Sequence, residues 1–131
     1  MKNKMTEKLF ELAYTDSMTE VQNRNAYEER LKKLRKPNAN ISRSTVIVVD
    51  ANGLKEINDS YGHFSGDDAI KTVAKALRDT IGTKADIYRI GGDEFVCISE
   101  SNVLPYISQF KDTIYFINNE KLYNLSVSIG Y

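Results

Sequence analysis

The stretch that decides the fold reads Ile87-Tyr88-Arg89-Ile90-Gly91-Gly92-Asp93-Glu94-Phe95-Val96-Cys97-Ile98. Two apolar runs with the composition of strands flank a glycine pair, and two carboxylates follow it directly. Because glycine tolerates the positive φ that tight hairpin turns require, this pattern predicts a β-hairpin with its turn at Gly91-Gly92. Asp93 and Glu94 are adjacent, so their side chains point to opposite faces of a strand unless the turn twists both into one cleft.

The two carboxylates at the tip of this hairpin suggest a cation site. They suit a hard ion such as Mg²⁺, which prefers oxygen ligands and often shares them with phosphates. An ordinary solvated hairpin tip is the alternative, because glycine turns followed by acidic residues are common. The hairpin sequence alone leaves both interpretations open.

The composition limits the class of protein. At 131 residues the chain has room for one domain with a substantial core. Its 18 basic and 18 acidic residues give a net charge of zero, so no overall field steers it toward nucleic acid or an anionic membrane. The single cysteine, Cys97, excludes an internal disulfide and fits a buried strand position. With no signal peptide and no apolar run of about 18 residues, a soluble cytoplasmic protein is expected.

Helical and strand patterns alternate along the chain. Residues 45–49 form a continuous β-branched run, which predicts a central strand buried on both faces. Residues 123–129 alternate between apolar and polar, as in a half-buried strand. Caps and helical spacing predict three helices, which run from Asn23 to Lys36, from Ser65 to Ile81 and from Pro105 to Asn119. This order predicts an α+β fold with helices packed on a mixed or antiparallel sheet.

A second group of chemically capable residues follows the central strand. Asp50 lies where the buried run ends, a usual place for ligand-binding residues. Gly53 permits close approach of backbone N–H groups to an anion, and Lys55 supplies a positive charge. Asn58 both donates and accepts, and ionised Asp67 only accepts, so together they could bind the adjacent N–H groups of guanine, which adenine lacks. Turn and cap chemistry is the alternative for both.

Several segments occur in an order known from one protein family. They are Asp16-Ser17-Met18-Thr19, Asn23-Arg24, Asp50 with Lys55, residues 58–63, Gly66-Asp67 and Gly91-Gly92-Asp93-Glu94-Phe95. In this order and spacing the chain resembles the GGDEF family of diguanylate cyclase domains. The resemblance implies that residues 1–15 are the end of an N-terminal linker helix and that residues 16–131 are a GGDEF domain with a short C-terminus. Asp16 is expected to form a salt bridge with Arg89 or Arg24.

The resemblance implies a fold and a reaction. The fold would be the ferredoxin-like palm that nucleotidyl cyclases and polymerases share. Family members condense two GTP molecules into cyclic di-GMP and release pyrophosphate, with one nucleotide on each of two facing domains. The implied partners are GTP and a second GGDEF domain in a transient homodimer. A sensor domain is expected elsewhere in the parent protein, and no contact of this chain with nucleic acid or membrane is expected.

The resemblance also implies roles for individual residues. Asp50 and Asp93 would hold two Mg²⁺ or Mn²⁺ ions, joined by the backbone carbonyl of Ala51. Glu94 would be a metal ligand or assist deprotonation of the attacking 3′-hydroxyl. Such ions bridge the attacking and leaving oxygens of an in-line transfer. The residues that would contact the nucleotide are Asn58 and Asp67 at the guanine, Gly53, Leu54 and Lys55 at the phosphates, and Gly91 and Gly92 beneath it.

The chain departs from the family pattern at several positions. Gly82 and Ala85 stand where an R-x-x-D product-inhibition site would be, Glu20 replaces a usual glycine, and Asn52 replaces a frequent second aspartate. The family continues into a helix that carries a phosphate-binding lysine and arginine, whereas this chain stops at Tyr131. The alternative function is therefore a catalytically impaired GGDEF module that binds GTP or a partner for regulation. The side chains expected to be exposed without that helix are Phe116, Tyr123, Leu125 and Val127.

Overall fold

The computed structural model describes residues 3–131 of the chain. Its strands are β1 (Thr45–Ala51), β2 (Asp86–Arg89), β3 (Glu94–Ser99) and β4 (Val127–Gly130). Its helices are α1 (Lys4–Tyr14), α2 (Arg24–Leu34), α3 (Leu54–Tyr61), α4 (His63–Asp79) and α5 (Tyr106–Asn118). The strands form one sheet in the order β2-β3-β1-β4, and each neighbouring pair is antiparallel. The predicted α+β fold is confirmed, with an antiparallel rather than a mixed sheet.

Each face of the sheet packs against its own helices. Alternate side chains of a strand point to opposite faces, so neighbouring residues enter different cores. On one face, Ile47 of β1 and Phe95 of β3 are buried in a cluster with residues of α3, α4 and α5. On the other face, Tyr88 and Val96 pack with Ala26 of α2. The antiparallel sheet is therefore the middle layer of three.

β1 is a central strand, as predicted, but only one of its faces is fully buried. Val49 has no solvent exposure, whereas Val46 on the opposite face is 44% exposed. The reason is that the buried cluster beside α2 draws on β2 and β3, and from β1 it includes only the partly buried Val48. Cys97 is fully buried, as predicted, and burial raises the pKa of its thiol to about 12.

The segment between β1 and α4 is helical, which the sequence patterns did not indicate. α3 spans Leu54–Tyr61, and its first two residues belong to the segment whose backbone N–H groups we expected near an anion. The predicted cap at Ser65 is wrong, because α4 already begins at His63. Gly62 separates the two helices with φ of +90°, a conformation that residues with side chains rarely adopt. This single glycine lets one helix end and the next begin without a loop.

Two other helix boundaries agree with the sequence. Asn23 caps α2, because its Oδ1 accepts a hydrogen bond of 3.0 Å from the backbone N–H of Ala26. Pro105 directly precedes α5, where its missing N–H costs no helical hydrogen bond. Both caps are local features, so the sequence alone could identify them.

The last predicted strand is shorter than expected, and the segment before it is buried. β4 includes only Val127–Gly130, yet Tyr123 and Leu125 are 6% and 3% exposed. The expected exposure of these two side chains is therefore wrong, whereas Phe116 is exposed as expected. Leu125 is held because its backbone N–H donates to Asn118 Oδ1 at 2.6 Å. The segment thus packs on α5 without extending the sheet.

Tyr123 is held by a carboxylate of α4. Its hydroxyl donates to Asp68 Oδ2 at 2.5 Å, and Lys121 Nζ donates to the same oxygen at 2.6 Å. Burial by itself would raise the pKa of Asp68, but these hydrogen bonds and the lysine charge outweigh it and lower that pKa. Burial and the bond to Asp68 raise the pKa of Tyr123.

α1 corresponds to the predicted end of a linker helix. It ends at Tyr14, and Met1 and Lys2, which belong to the predicted linker, lie outside the described residues. The proposed domain boundary at Asp16 stays a prediction. Within residues 3–131, no helix combines the length and apolar character needed to cross a membrane.

Candidate functional site

The pairing of β1 with β3 brings the predicted metal-binding residues together. Asp50 lies directly opposite Glu94 in the register, and Ala51 N–H donates to the carbonyl of Asp93 at 2.8 Å. Residues directly opposite each other on antiparallel strands share a face, so the side chains of Asp50 and Glu94 project from the same side. Asp93 lies in the adjoining loop and is exposed. One end of the sheet therefore carries all three predicted carboxylates.

These carboxylates have no counter-charge within the described chain. Among residues 3–131, no ion pair and no side-chain hydrogen bond involves Asp50, Asp93 or Glu94. The same residues contain no group of three or more His, Cys, Asp or Glu side chains placed to hold a metal ion. Like charges that lie directly opposite each other on neighbouring strands repel, so a cation would stabilise this end of the sheet.

The hairpin turn forms where predicted, but for a different reason. Ile90 N–H donates to the carbonyl of Glu94 at 3.0 Å and closes the turn. Neither Gly91 nor Gly92 has a positive φ, so the predicted conformational reason for these glycines is wrong. A Cβ added at Gly92 would meet nothing within 4 Å, and at Gly91 it would come no nearer than 3.8 Å to Glu94 Cβ. In this structure side chains would fit at both positions.

Two arginines hold the hairpin turn through its carbonyl groups. Arg89 Nη2 donates to the carbonyl of Gly92 at 2.8 Å, and Arg24 Nη1 donates to that of Ile90 at 3.1 Å. Arg89 Nη1 also pairs with Asp16 Oδ2 at 3.2 Å, which confirms the expected salt bridge and selects Arg89 as the partner. We did not predict that Arg89 contacts the turn, although its position two residues before the glycine pair is a signal that could have indicated it.

Thr19 holds the carboxylate of Asp16, the residue that pairs with Arg89. Thr19 donates to Asp16 Oδ2 from its backbone N–H at 3.0 Å and from its hydroxyl at 2.6 Å. Burial by itself would raise the pKa of Asp16, but the bonds from Thr19 and the charge of Arg89 outweigh it and lower that pKa. The carboxylate therefore stays ionised and keeps Arg89 oriented toward the turn.

The predicted phosphate-binding residues form the N-terminus of α3. Gly53 occupies the N-cap with φ of +64°, and no side chain caps the first backbone N–H groups of this helix. Leu54 and Lys55 form its first turn, and Lys55 is exposed. Free N–H groups and the helix dipole favour an anion at this position. Since α3 begins three residues after Ala51, this helix end lies close in sequence to Asp50.

The predicted guanine-binding residues lie on two different helices that touch. Asn58 is on α3, and Asp67 is an exposed residue of α4. A Cβ built on the neighbouring Gly66 would lie 1.8 Å from Asn58 Oδ1, so the amide of Asn58 rests directly on the backbone of Gly66. Within residues 3–131, the side chain of Asn58 makes no hydrogen bond. Its donor and acceptor atoms are thus available to a ligand beside Asp67.

Of two pockets in the described part of the chain, one adjoins this site and the other does not. One of about 450 Å³ lies along α3 and is lined by residues that include Gly53, Ile57, Ser60 and Ser126. Another of about 560 Å³ lies at the opposite end of β2 and β3 and includes Gly82. The first adjoins the N-terminus of α3 and leaves room beside the site. The second is remote from the carboxylates and does not belong to it.

Comparison with known proteins identifies the family. The model of the family described as "Diguanylate cyclase, GGDEF domain" matches residues 13–130. The chain belongs to the GGDEF family. It is 32% identical over 124 residues to the probable diguanylate cyclase DgcI of Escherichia coli K12, covering 93% of this chain and 26% of that protein. It is 32% identical over 134 residues to a diguanylate cyclase of Vibrio cholerae serotype O1, covering 91% of this chain and 40% of that protein.

Solved GGDEF structures share the fold. The coiled coil and GGDEF domain of DgcB from Caulobacter crescentus, in complex with c-di-GMP, gives a TM-score of 0.78 at 22% identity, covering 97% of this chain and 72% of that one. A diguanylate cyclase/phosphodiesterase from Caldicellulosiruptor saccharolyticus gives a TM-score of 0.75 at 25% identity, covering 93% of this chain and 76% of that one. The expected palm fold is confirmed. The GGDEF chain described here spans less than half the length of the two curated relatives above.

Proposed function

We propose that this chain is a diguanylate cyclase domain, which condenses two GTP molecules into cyclic di-GMP and releases pyrophosphate. The observation that carries the proposal is the register of β1 and β3, which sets Asp50 opposite Glu94 and joins Ala51 N–H to the carbonyl of Asp93. A sheet end with three unpaired carboxylates is electrostatically unfavourable by itself. It becomes favourable when a divalent cation and a nucleotide triphosphate bind there together.

The chemical types of the donors at this end of the sheet suit Mg²⁺ or Mn²⁺. Carboxylate and carbonyl oxygens are the ligands that these hard cations prefer. Asp50 and Asp93 would hold the ions together with the backbone carbonyl of Ala51. Bound ions would supply charge neutralisation at the transferring phosphate. Glu94 would complete the ligand set or accept the proton of the attacking 3′-hydroxyl, a role open to a carboxylate on the same face as Asp50.

The two helices after β1 would bind the nucleotide. The uncapped N-terminus of α3 at Gly53 offers N–H groups and a positive dipole end to the phosphates, and Lys55 adds a full charge. Asn58 and Asp67 would bind the guanine edge, since the side chain of Asn58 has no other hydrogen-bond partner among residues 3–131. These contacts position GTP without taking part in the chemical step.

The glycine pair supports a nucleotide lying against the hairpin. Neither the turn conformation nor the packing requires glycine at Gly91 or Gly92, because φ is not positive and a Cβ would fit. A requirement for glycine would then come from a molecule that approaches the backbone closely. Arg89 and Arg24 hold the turn in place for that approach, because they donate hydrogen bonds to its carbonyl groups.

The reaction needs a second copy of the domain. Each domain would bind one GTP, and the two sites would face each other in a transient homodimer. If association is weak, the rate per domain should rise with protein concentration. A sensor domain in the parent protein would control that encounter.

A second candidate function is a module that binds GTP without turnover. Asn52 stands where the family frequently has a second aspartate. Its side chain makes hydrogen bonds to β4 and to the segment before it. Its Nδ2 donates to Ser126 Oγ at 3.2 Å, and Ser128 Oγ donates to its Oδ1 at 2.9 Å. This position therefore contributes no negative charge to the site, which favours weaker metal binding than an aspartate would give.

Cyclic di-GMP formation tests the proposal directly. The purified chain is incubated with GTP and Mg²⁺ over a range of protein concentrations, with Asp93→Asn as the variant and Glu100→Gln as the matched control. We expect product from the wild type and from Glu100→Gln, increasing more than linearly with protein, and none from Asp93→Asn. Mg²⁺-dependent GTP binding without product would favour the second candidate. Absence of both binding and product refutes each function.

A further inference from the structure

Gly66 lies against a single side chain of the proposed nucleotide site. It is a buried residue within α4. A Cβ built on it would have three nearest neighbours, and all of them belong to Asn58: Oδ1 at 1.8 Å, Cγ at 2.8 Å and Nδ2 at 3.3 Å. Apart from the adjacent residues and the backbone of α4 itself, no other atom is as close. The space that Gly66 leaves is therefore occupied by the amide of Asn58.

The backbone of α4 gives no other reason for a glycine here. Gly66 does not have a positive φ, unlike Gly62 at the start of the same helix. Glycine within a helix is less stable than alanine, because it loses more conformational freedom on folding. What Gly66 provides is consequently the absence of a Cβ. We call the space above its Cα the Asn58 notch.

We propose that Gly66 is a positioning residue for guanine recognition, because the Asn58 notch fixes the amide of Asn58 beside Asp67. This inference rests on the proposed function and deepens it, since it assigns nucleobase selectivity to a residue that touches no nucleotide. The amide enters the notch without any hydrogen bond to residues 3–131. Steric fit alone orients its donor and acceptor, which leaves both for the base.

The expected displacement follows from the distances. Real Cβ atoms essentially never approach another heavy atom within 3.0 Å, whereas a Cβ at position 66 would lie 1.8 Å from Asn58 Oδ1. Alanine at this position must therefore move Asn58 Oδ1 until the two atoms are at least 3.0 Å apart. That shift of about 1.2 Å is larger than the tolerance of a hydrogen bond. Losing the two hydrogen bonds that an amide can make to guanine should weaken GTP binding by about 10- to 100-fold.

The experiment measures nucleotide affinity without turnover. The probes are 3′-deoxy-GTP and 3′-deoxy-ATP with Mg²⁺, because neither has the 3′-hydroxyl that would attack. Affinities are determined by calorimetric titration for the wild type, Gly66→Ala, Asn58→Ala, the double variant Asn58→Ala/Gly66→Ala, and Gly130→Ala. The last is a matched glycine-to-alanine control, because a Cβ at Gly130 meets nothing within 4 Å. Melting temperatures are recorded for every variant.

A positioning role predicts a pattern that a purely structural role does not. Gly66→Ala should lose about 10- to 100-fold in affinity for 3′-deoxy-GTP, with 3′-deoxy-ATP binding nearly unchanged. The double variant should bind no more weakly than Asn58→Ala, because the new Cβ then displaces nothing that contacts the base. Gly130→Ala should bind like the wild type. The double variant should also fold, since the Asn58 notch is empty and alanine favours the helix.

Other results overturn the inference. Wild-type affinity of Gly66→Ala for 3′-deoxy-GTP would show that Asn58 does not need the notch. A further loss in the double variant, equal to that of Gly66→Ala alone, would show that Gly66 acts independently of Asn58. Failure of the double variant to fold would show that something besides Asn58 needs the space. If the wild type itself binds no 3′-deoxy-GTP, the proposed function fails. That result is distinguishable from the three above, in which the wild type binds the nucleotide.

Discussion

Asp50→Asn should stabilise the domain and remove its response to Mg²⁺. Asp50 and Glu94 face each other across β1 and β3, both are half-buried, and neither has a cationic partner in the described part of the chain. Their Cβ atoms should lie about 5 Å apart. Two unit charges at about that distance repel by ~0.8 kcal/mol in bulk water and by ~3 kcal/mol at an effective dielectric constant of ~20. Because the carboxylates can splay toward solvent, we expect a gain of about 1 kcal/mol.

Urea unfolding followed by circular dichroism measures this effect, first in EDTA and then in Mg²⁺. For the wild type, Mg²⁺ at about ten times its Kd should add ~1.4 kcal/mol to the free energy of unfolding. For Asp50→Asn, the same addition should give less than about 0.5 kcal/mol, since one of the two principal ligands is gone. The variant should also be inactive, so stability and activity move in opposite directions.

Glu100→Gln is the matched control, because it neutralises an exposed carboxylate just beyond the far end of β3. It should change neither the stability in EDTA nor the response to Mg²⁺. The reasoning is refuted if Asp50→Asn is less stable than the wild type in EDTA, since the facing carboxylates would then not repel. It is equally refuted if the variant and the wild type gain the same stability from Mg²⁺.

Three further predictions concern the turn, a strained residue and a partly buried ion pair. Gly92→Ala should keep the unfolding free energy within about 0.5 kcal/mol of the wild type, because its Cβ meets nothing, while cyclase activity and GTP binding fall at least about tenfold. Glu20 has φ of +67°, so Glu20→Gly should be more stable than Glu20→Ala by about 1 kcal/mol in thermal or urea unfolding. Asp68→Asn should lose about 1 kcal/mol at pH 7 through weakened bonds to Lys121 and Tyr123. Because the pKa of Asp68 is lowered on folding, that loss should be constant above its unfolded pKa and shrink as pH falls through the folded value.

Each of these predictions has a contrary outcome. Full activity of Gly92→Ala would exclude close approach of a nucleotide to the turn. Glu20→Gly and Glu20→Ala both lose the same weak ion pair with Arg78, so their stabilities differ only through the backbone. Equal stability of the two variants would therefore show that the positive φ carries no strain. A loss for Asp68→Asn that stays the same between pH 7 and pH values below about 4 would mean that the charge of Asp68 does not contribute.

Local chemistry explains which features the sequence could predict. Asn23 caps α2 through an atom three residues away, and Pro105 begins α5 through its own ring, so both signals are complete within one turn of chain. The hairpin at Gly91-Gly92 is likewise local. The predicted reason for that turn was wrong, because it assumed a positive φ that a longer turn does not need.

The missed features are of two kinds: local geometry that no motif marks, and packing between segments distant in sequence. α3 has few local helix signals, and Gly62 rather than a capping side chain separates it from α4. Tyr123 was expected to be exposed, but its ring is buried in the core and its hydroxyl donates to Asp68 on α4. Asp16 was expected to pair with Arg89 or Arg24, and only the folded hairpin shows that Arg89 is the partner and that it also donates to the Gly92 carbonyl.

The sequence by itself determined the class of fold, the family and the chemical types available at the site, because periodicity, caps and motif spacing are properties of the chain. Only the tertiary structure decided how those residues meet. The register of β1 and β3 joins Asp50 to Glu94 across more than forty residues of chain, and a slip of one residue would turn them to opposite faces. The contact of Asn58 with Gly66 depends in the same way on how α3 and α4 pack. Side-chain burial on both faces of the sheet fixes these arrangements, and burial is a property of the whole fold.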